Sequence, residues 1–264
     1  MVAWATLRQV VIGTTALDAD VATVRRAFGL GAGFADPELR AHGLADATLP
    51  VAPGRYLEFV APLGADGPVA GRLRTVGGRG GFVLSVQHPD AAGVLERCRA
   101  RGVRVPVEET AMGKVVLQLH PKDVGLVLEV DGIAEPGQWF WDDVDPGPEP
   151  DAGIDAILGV EVPVADPAAT AALWHELLEL GAPVRPDEID LGGTWVRFTP
   201  GGPSAEWTVV VRRSGPDAVD PGLPGVRFRV TSAPRRPVPS SSGTPRRRSP
   251  ARELRTLNYR PFVC

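Results

Sequence analysis

Two glutamates interrupt apolar, strand-like segments of the sequence and are the residues best placed to do chemistry. Glu58 is flanked by leucine and phenylalanine, and Glu129 by leucine and valine. Side chains alternate between the two faces of a strand, so each glutamate points away from its apolar neighbours. Both occupy matching positions of a repeat, which favours an inward-facing functional carboxyl group over an ordinary exposed strand residue.

The four histidines differ in what they offer. His42 lies in a loop that leads toward the segment of Glu58, and it is a candidate for acid–base chemistry. His88, His120 and His175 lie at a helix start, a turn and a helix surface, where structural or solvated roles are expected. The sequence contains no phosphate-binding glycine loop followed by a helix, no Gly-x-Ser-x-Gly elbow and no histidine pair at helical metal spacing.

The composition excludes several classes of protein. The chain has 264 residues, a formal net charge of -4 and a mean hydropathy of -0.01, values that are typical of a globular protein. No apolar run is long enough to span a membrane, and the first dozen residues lack the pattern of a secretory signal, so we expect a cytoplasmic protein without a membrane partner. The two cysteines, Cys98 and Cys264, cannot form a disulfide framework.

An internal repeat organises the chain. Three segments each begin with a short alternating strand, continue with an amphipathic helix and end with further strands. The equivalent positions Gln9, Gly81 and Gly159 lie 72 and 78 residues apart in the first strands of the three segments. The pattern predicts an α+β fold in which a βαβββ module is used three times.

The repeat also predicts the domain boundaries. Residues 1–131 hold two paired modules, and 132–153 form an acidic, proline-containing linker. Its aromatic cluster Trp-Phe-Trp at 139–141 either binds a ligand or pins the linker onto the core. Residues 154–231 hold the third module and the first strand of a fourth, and 232–264 form a basic tail that is expected to be disordered. One hypothesis is that this tail is translated from a shifted reading frame; its basic residues lack interleaved aromatics, so no nucleic-acid partner is expected.

Paired modules with a polar residue in the first strand and a glutamate in the last resemble the vicinal oxygen chelate superfamily. This superfamily includes glyoxalase I, methylmalonyl-CoA epimerase, extradiol dioxygenases and bleomycin-resistance proteins. Residues 7–131 are most similar to the epimerase and glyoxalase branch. The segments that carry the resemblance are LRQVVIG at 7–13, YLEFVAPLG at 56–64, the glycine pair at 80–81 and LHPKDVGLVLE at 119–129.

The resemblance implies that paired modules form cup-shaped, partly open mixed sheets with helices packed outside. A divalent metal in such a cup takes one ligand from the first strand and one from the last strand of each module. The corresponding positions here are Gln9, Glu58, Gly81 and Glu129. Family members usually carry histidine at one or both first-strand positions, whereas Gln9 offers an amide and Gly81 no side chain.

The implied metal ligands are therefore the oxygens of Gln9, Glu58 and Glu129. A divalent ion such as Mn, Co, Ni, Mg or Zn is the cofactor that the resemblance implies, and this hard oxygen set suits Mn or Mg better than Zn.

Two functions follow from the resemblance. The first is metal-assisted proton transfer or isomerisation, epimerase- or lyase-like, on a small carbonyl or thioester compound. Glu129 is then the base, and His42 substitutes for the acid–base glutamate of the epimerases, whose place is taken by Ala41. The alternative is a metal-free cup that sequesters a small hydrophobic or aromatic ligand. Either way the expected partners are a small molecule and, because an odd number of modules leaves one unpaired, a second copy of the chain in a homodimer.

Overall fold

Two mixed β-sheets and six helices make up the described part of the chain. The computed structural model describes residues 4–142, 144, 153–181, 183, 185–215 and 218–232. The mixture of open sheets and helices confirms the predicted α+β class. Within the described residues, no helix combines the length and the apolarity that a membrane span requires.

The first sheet contains seven strands, in the order β2-β3-β1-β4-β7-β6-β5. The elements up to residue 132 are β1 (Thr6–Thr14), α1 (Leu17–Phe28), α2 (Pro37–Ala41), β2 (Leu44–Ala52), β3 (Arg55–Pro62), α3 (Pro68–Thr75), β4 (Arg79–His88), α4 (Ala91–Arg101), β5 (Val107–Ala111), β6 (Lys114–Leu119), α5 (Pro121–Val124) and β7 (Val127–Gly132).

β1 and β4 run antiparallel at the centre of this sheet, and each has a parallel partner on its other side, β3 and β7 respectively. The two modules therefore meet along β1 and β4, and their closing strands lie next to this central pair.

Two of the helices begin with an aspartate cap, and a third begins without a side-chain cap. The Asp90 carboxylate accepts a hydrogen bond from the Gly93 backbone N–H at 2.9 Å and caps α4, and α6 (Pro167–Leu177) begins in the same way after an aspartate. Helix α1 begins after Ala16 without a side-chain cap, and its Asp20 carboxylate binds the Arg79 guanidinium at 2.5 and 2.6 Å.

One large core joins the two sheets and their helices. It contains residues from one face of each sheet together with α1, α4 and α6, and its largest fully buried side chain is Trp174. A second, smaller apolar cluster lies on the opposite face of the first sheet and includes Val11, Val60 and Val83 together with Leu73 of α3. We call this opposite face, which carries Gln9, Glu58 and Glu129, the open face. Helix α3 covers only part of it.

The second sheet contains five strands, in the order β12-β11-β8-β10-β9. Its strands are β8 (Ile154–Val164), β9 (Glu188–Asp190), β10 (Trp195–Pro200), β11 (Trp207–Arg213) and β12 (Val226–Thr231). The sequence pattern assigned β11 to the end of the third module and β12 to the start of a fourth, and the strand pairing gives a different order. β11 pairs antiparallel with β8, as β4 does with β1, and β12 pairs parallel with β11, as β7 does with β4.

This pairing makes β10 the closing strand of the third module, since β10 is the parallel neighbour of β8. The sequence pattern could not predict the order of these strands in the sheet, because β10, β11 and β12 show similar apolar alternation. β11 and β12 lie beside β8 in the place that the second module takes beside β1 in the first sheet. The third module therefore no longer needs a second copy of the chain to fill this place, and the argument for a homodimer from the number of modules does not hold. The homodimer and the domain boundaries stay predictions, and the tail beyond residue 232 lies outside the described residues.

Candidate active site

A cavity of about 70 Å³ opens on the open face of the first sheet, with a partly open mouth. β1, β3, β4 and β7 supply its floor, the β5–β6 hairpin one side, and the segments before β2 and after β7 the rest. This volume holds several water molecules or a small organic group. The residues that line it are Gln9, Val11, Asp36, Leu39, Glu58, Val83, Ala111, Met112, Val116, Glu129, Asp131, Phe140 and Trp141.

The structure brings the predicted residues Gln9, Glu58 and Glu129 together in this cavity. Glu58 is only 7% exposed, and its Oε2 accepts a hydrogen bond from the Gln9 amide nitrogen at 2.6 Å. Burial raises the pKa of the Glu58 carboxyl well above its usual range, and the neighbouring carboxyls of Asp46, Glu129 and Asp36 raise it further.

Glu129 has an acidic neighbour on its own strand. Its Oε2 accepts a hydrogen bond from the Gln118 amide at 2.7 Å, and the Ser85 hydroxyl donates to the Asp131 carboxyl at 2.6 Å. Burial raises the pKa of Glu129, against the lowering effect of its hydrogen bonds with Gln118 and Ser85. Burial also raises the pKa of Asp131 well above its usual range, and the charge of Glu129 adds to this.

Four of the carboxyls in and around the cavity have no basic partner among the described residues. Among the described residues no arginine or lysine forms an ion pair with Glu58, Glu129, Asp131 or Asp46. Asp46 accepts the backbone N–H of Asp36 at 2.9 Å, and burial raises its pKa to about 6. Buried carboxylates that meet only neutral donors take up protons or a cation, because an isolated buried charge is costly.

A divalent ion suits the chemistry of this donor set. Gln9, Glu58 and Glu129 offer one amide and two carboxylate groups, and oxygen ligands of this kind are those that Mg²⁺, Mn²⁺ or Ca²⁺ prefer. Within the described part of the chain, no cluster of three or more His, Cys, Asp or Glu side chains has the geometry of a metal site. The ligand set therefore depends on Gln9 as its third member, and it stays a prediction.

The fourth ligand position implied by the resemblance falls on a different residue than expected. Val11 is opposite Val83 in the β1–β4 ladder, whereas Ile12 is opposite Gly81, so β4 has one extra residue, Phe82, at a bulge. The bulge reverses the alternation that the sequence suggested. Gly81 therefore lies against the indole of Trp207, and Val83 lines the cavity without offering a ligand atom.

His42 is not among the residues that line the cavity. It is half-buried directly after α2, and the same segment contributes Asp36 and Leu39 to the cavity wall instead. His88, His120 and His175 each contact the backbone, as a structural role requires. His88 is buried, and its Nε2 lies 3.1 Å from the carbonyl oxygen of residue 178.

The three aromatic residues after β7 have two different structural roles. Trp139 is buried in a cluster with Tyr56 and Ile133, and the Arg8 guanidinium lies 5.4 Å from its ring centre. Phe140 and Trp141 line the cavity. The segment thus packs on the sheet and also forms part of the site.

Sequence reasoning missed three acidic residues of the site. Asp131 could have been found, since it lies two residues after Glu129 and so shares its face of β7. Asp36 and Asp46 lie before and within β2, where no repeat or motif marks them.

No family model matches the chain. Human mitochondrial methylmalonyl-CoA epimerase is 39% identical to it over 75 residues, which are 27% of this chain and 43% of the relative, so the chain spans less than half the length of that protein. A Streptomyces coelicolor methylmalonyl-CoA epimerase in complex with 2-nitronate-propionyl-CoA is similar in structure, with 25% identity and a TM-score of 0.43 over 48% of this chain and 95% of that chain. The Mycobacterium tuberculosis epimerase shows 23% identity and a TM-score of 0.42 over 48% of this chain and 86% of that chain.

Proposed function

We propose that this protein is an isomerase-like enzyme of the vicinal oxygen chelate superfamily that moves a proton on the carbon next to the carbonyl of a small thioester, such as an acyl-CoA. One observation carries the proposal. Gln9, Glu58 and Glu129 converge on a single cavity, and the carboxyls of Glu58 and Glu129 have no basic partner among the described residues. Such carboxyls are suited to exchanging protons with a ligand.

Glu129 is the proposed base. The Gln118 amide holds its Oε2 at 2.7 Å and so orients the carboxyl group, and burial makes it a stronger base than a solvated glutamate. Glu58 faces the same cavity from the other module, and the Gln9 amide fixes its position. The two carboxyls therefore approach a bound acyl group from different modules.

A divalent ion would be held by the oxygens of Gln9, Glu58 and Glu129. When bound, such an ion supplies Lewis-acid stabilisation of the charge that develops on the carbonyl oxygen. The role of Glu129 as base does not depend on the identity of the metal.

The size of the cavity and the local sequence similarity support a thioester as the substrate. A volume of about 70 Å³ accommodates an acyl head, and the partly open mouth lets a longer carrier extend into solvent. The 75 residues that resemble human methylmalonyl-CoA epimerase are consistent with this class of substrate.

Ligand binding without turnover is the second candidate. Val83 removes one implied ligand position, and both predicted carboxylate ligands already accept hydrogen bonds from glutamine amides. Such a closed hydrogen-bond network would also serve a metal-free cavity that holds an apolar ligand.

Proton exchange at the carbon next to the thioester carbonyl distinguishes the two candidates. The full chain is incubated in D₂O with methylmalonyl-CoA, propionyl-CoA or 2-methylbutanoyl-CoA, each with Mn²⁺, Co²⁺, Mg²⁺ or no added metal, and the C2 proton is followed by NMR. We expect loss of the C2 proton signal faster than in the protein-free control for at least one thioester. Saturable binding without exchange for all three would favour the binding protein and overturn the enzyme.

A further inference from the structure

The cavity combines acidic groups with apolar walls. Its titratable lining residues are Asp36, Glu58, Glu129 and Asp131, and no lysine, arginine or histidine lines it among the described residues. The other walls are aliphatic or aromatic except for Gln9. An anionic group on the ligand would find no positive side chain among these lining residues.

Two aromatic side chains from the segment after β7 form one wall of the cavity, and we call Phe140 and Trp141 the aromatic wall. The Trp141 ring contacts Phe34, with ring centres 5.4 Å apart, and the ring centre of Phe140 lies 6.3 Å from that of Trp141. Flat apolar surfaces of this kind bind neutral hydrocarbon or aromatic groups well.

Hydrogen bonds from the first sheet hold the segment that carries this wall. The Arg8 guanidinium donates to the carbonyl oxygen of Pro136 at 2.7 Å, and the Gln87 amide donates to that of Glu135 at 2.8 Å. The buried Trp139 then fixes the chain directly before the wall. The aromatic wall is therefore built into the fold.

The indole of Trp141 has a polar group without a partner. Its Nε1–H is shielded from solvent and meets no hydrogen-bond acceptor among the described residues. A buried donor without an acceptor costs free energy, so a ligand that places an acceptor within reach of this N–H gains binding free energy. A carbonyl oxygen is such an acceptor.

We propose that the substrate taken by this cavity carries a neutral, apolar acyl group, and that Trp141 is a specificity-determining residue that stacks on this group and donates its indole N–H to an oxygen of the ligand. The inference rests on the proposed function and narrows it. Acyl groups that carry a free carboxylate are disfavoured, because the described lining of the cavity offers them four acidic side chains and no basic one.

A matched pair of thioesters tests the proposal. 2-Methylbutanoyl-CoA and methylmalonyl-CoA both carry a methyl branch, and they differ in an ethyl group against a carboxylate. Dissociation constants of the full chain are measured by calorimetry for both, with and without Mn²⁺. We expect the neutral thioester to bind at least 10-fold more tightly in both conditions. Equal affinities, tighter binding of methylmalonyl-CoA or no binding of either would overturn the proposal.

Variants separate the role of Trp141 from a general effect on folding. Trp141→Phe keeps an aromatic ring and removes the N–H, so we expect the affinity for 2-methylbutanoyl-CoA to fall roughly 5- to 10-fold. Trp195→Phe is the control, because Trp195 packs over Gly159 in the second sheet, and no change is expected. An unchanged affinity in Trp141→Phe would overturn the role given to this residue.

The two proposals fail in different ways. Tight, Trp141-dependent binding of the neutral thioester without C2 exchange would leave the ligand class standing and remove the enzyme. Exchange together with tighter binding of methylmalonyl-CoA would leave the enzyme standing and remove the neutral acyl class.

Discussion

The two sheets share one pattern of strand pairing, yet their corresponding faces differ in whether the acidic side chains form ion pairs. In the first sheet Val11 pairs with Glu58, and in the second Glu161 pairs with Arg197. Arg197 also binds Glu188 at 2.6 Å, and Arg229 binds Glu161 at 2.9 Å. The face of the second sheet is thus a ladder of ion pairs.

The first sheet lacks this compensation. Glu58 and Glu129 meet glutamine amides, and no arginine pairs with either within the described residues. In addition, Trp195 fills the space over Gly159 in the second sheet, whereas the space around Gln9 remains a cavity. Equivalent strands can therefore carry a face whose charges are paired and whose space is filled, or a face with a cavity and carboxyl groups that have no basic partner. Only the second kind of face has the features of a functional site.

The largest expected effect is on activity, and it contrasts one glutamate from each sheet. Glu129→Gln removes the proposed base and keeps the shape of the side chain, so we expect C2 exchange to fall by about 100-fold or more. Glu161→Gln removes an acid of the ion-pair ladder, and exchange should be unchanged. The two rates are measured by NMR in D₂O on the same thioester. A loss of similar size in both variants would mean that the effect is structural.

A second contrast concerns the glycines that face tryptophans. A Cβ atom at Gly81 would overlap the indole of Trp207, and one at Gly159 would overlap that of Trp195. Trp207 is buried, whereas Trp195 is only partly so and has room to move. We expect Gly81→Ala to lower the free energy of unfolding by about 1–3 kcal/mol and Gly159→Ala by less, as read from urea denaturation. The reverse order would contradict the packing described.

The third contrast is in the pH dependence of stability. Asp46 has a pKa of about 6 in the folded protein, above the ordinary value near 4, so the folded state binds more protons between these pH values. Stability is then lost as the pH rises from about 4 to 6. Asp46→Asn keeps an acceptor for the Asp36 N–H and lacks the contribution of Asp46 to this loss, so its stability should exceed that of the original protein by about 1–2 kcal/mol at pH 8.

The matching variant in the second sheet should change stability in the opposite direction. The Asp155 carboxylate binds Arg212 at 2.6 Å, so Asp155→Asn should lower stability at pH 8. Thermal unfolding at pH 4 and pH 8 gives both comparisons. If Asp46→Asn gains the same stability at both pH values, the ionisation of the Asp46 carboxyl is not the cause of that gain.

Several features of the site could be predicted from the sequence because they depend on alternation alone. Glu58 and Glu129 face the cavity as their apolar neighbours require, and Gln9 does so as well. The assignment of Gly81 failed because a bulge at Phe82 changes which side chains share a face, and an extra residue of this kind leaves no mark on the apolar pattern. Trp141 could be seen as aromatic but not placed, since its position depends on contacts with distant residues.

The smallest expected effect is that of a metal on stability. An ion held by Gln9, Glu58 and Glu129 at ten times its dissociation constant would add about 1.4 kcal/mol, which is a rise of roughly 3–5 °C in the melting temperature of a chain of this size. Glu58→Gln should abolish the rise produced by Mn²⁺, because it removes a charged ligand. Glu188→Gln should preserve it, since Glu188 pairs with Arg197 in the second sheet. If Mn²⁺ still raises the melting temperature of Glu58→Gln, the ion binds elsewhere. The carboxyls of the open face would then bind protons and no metal ion.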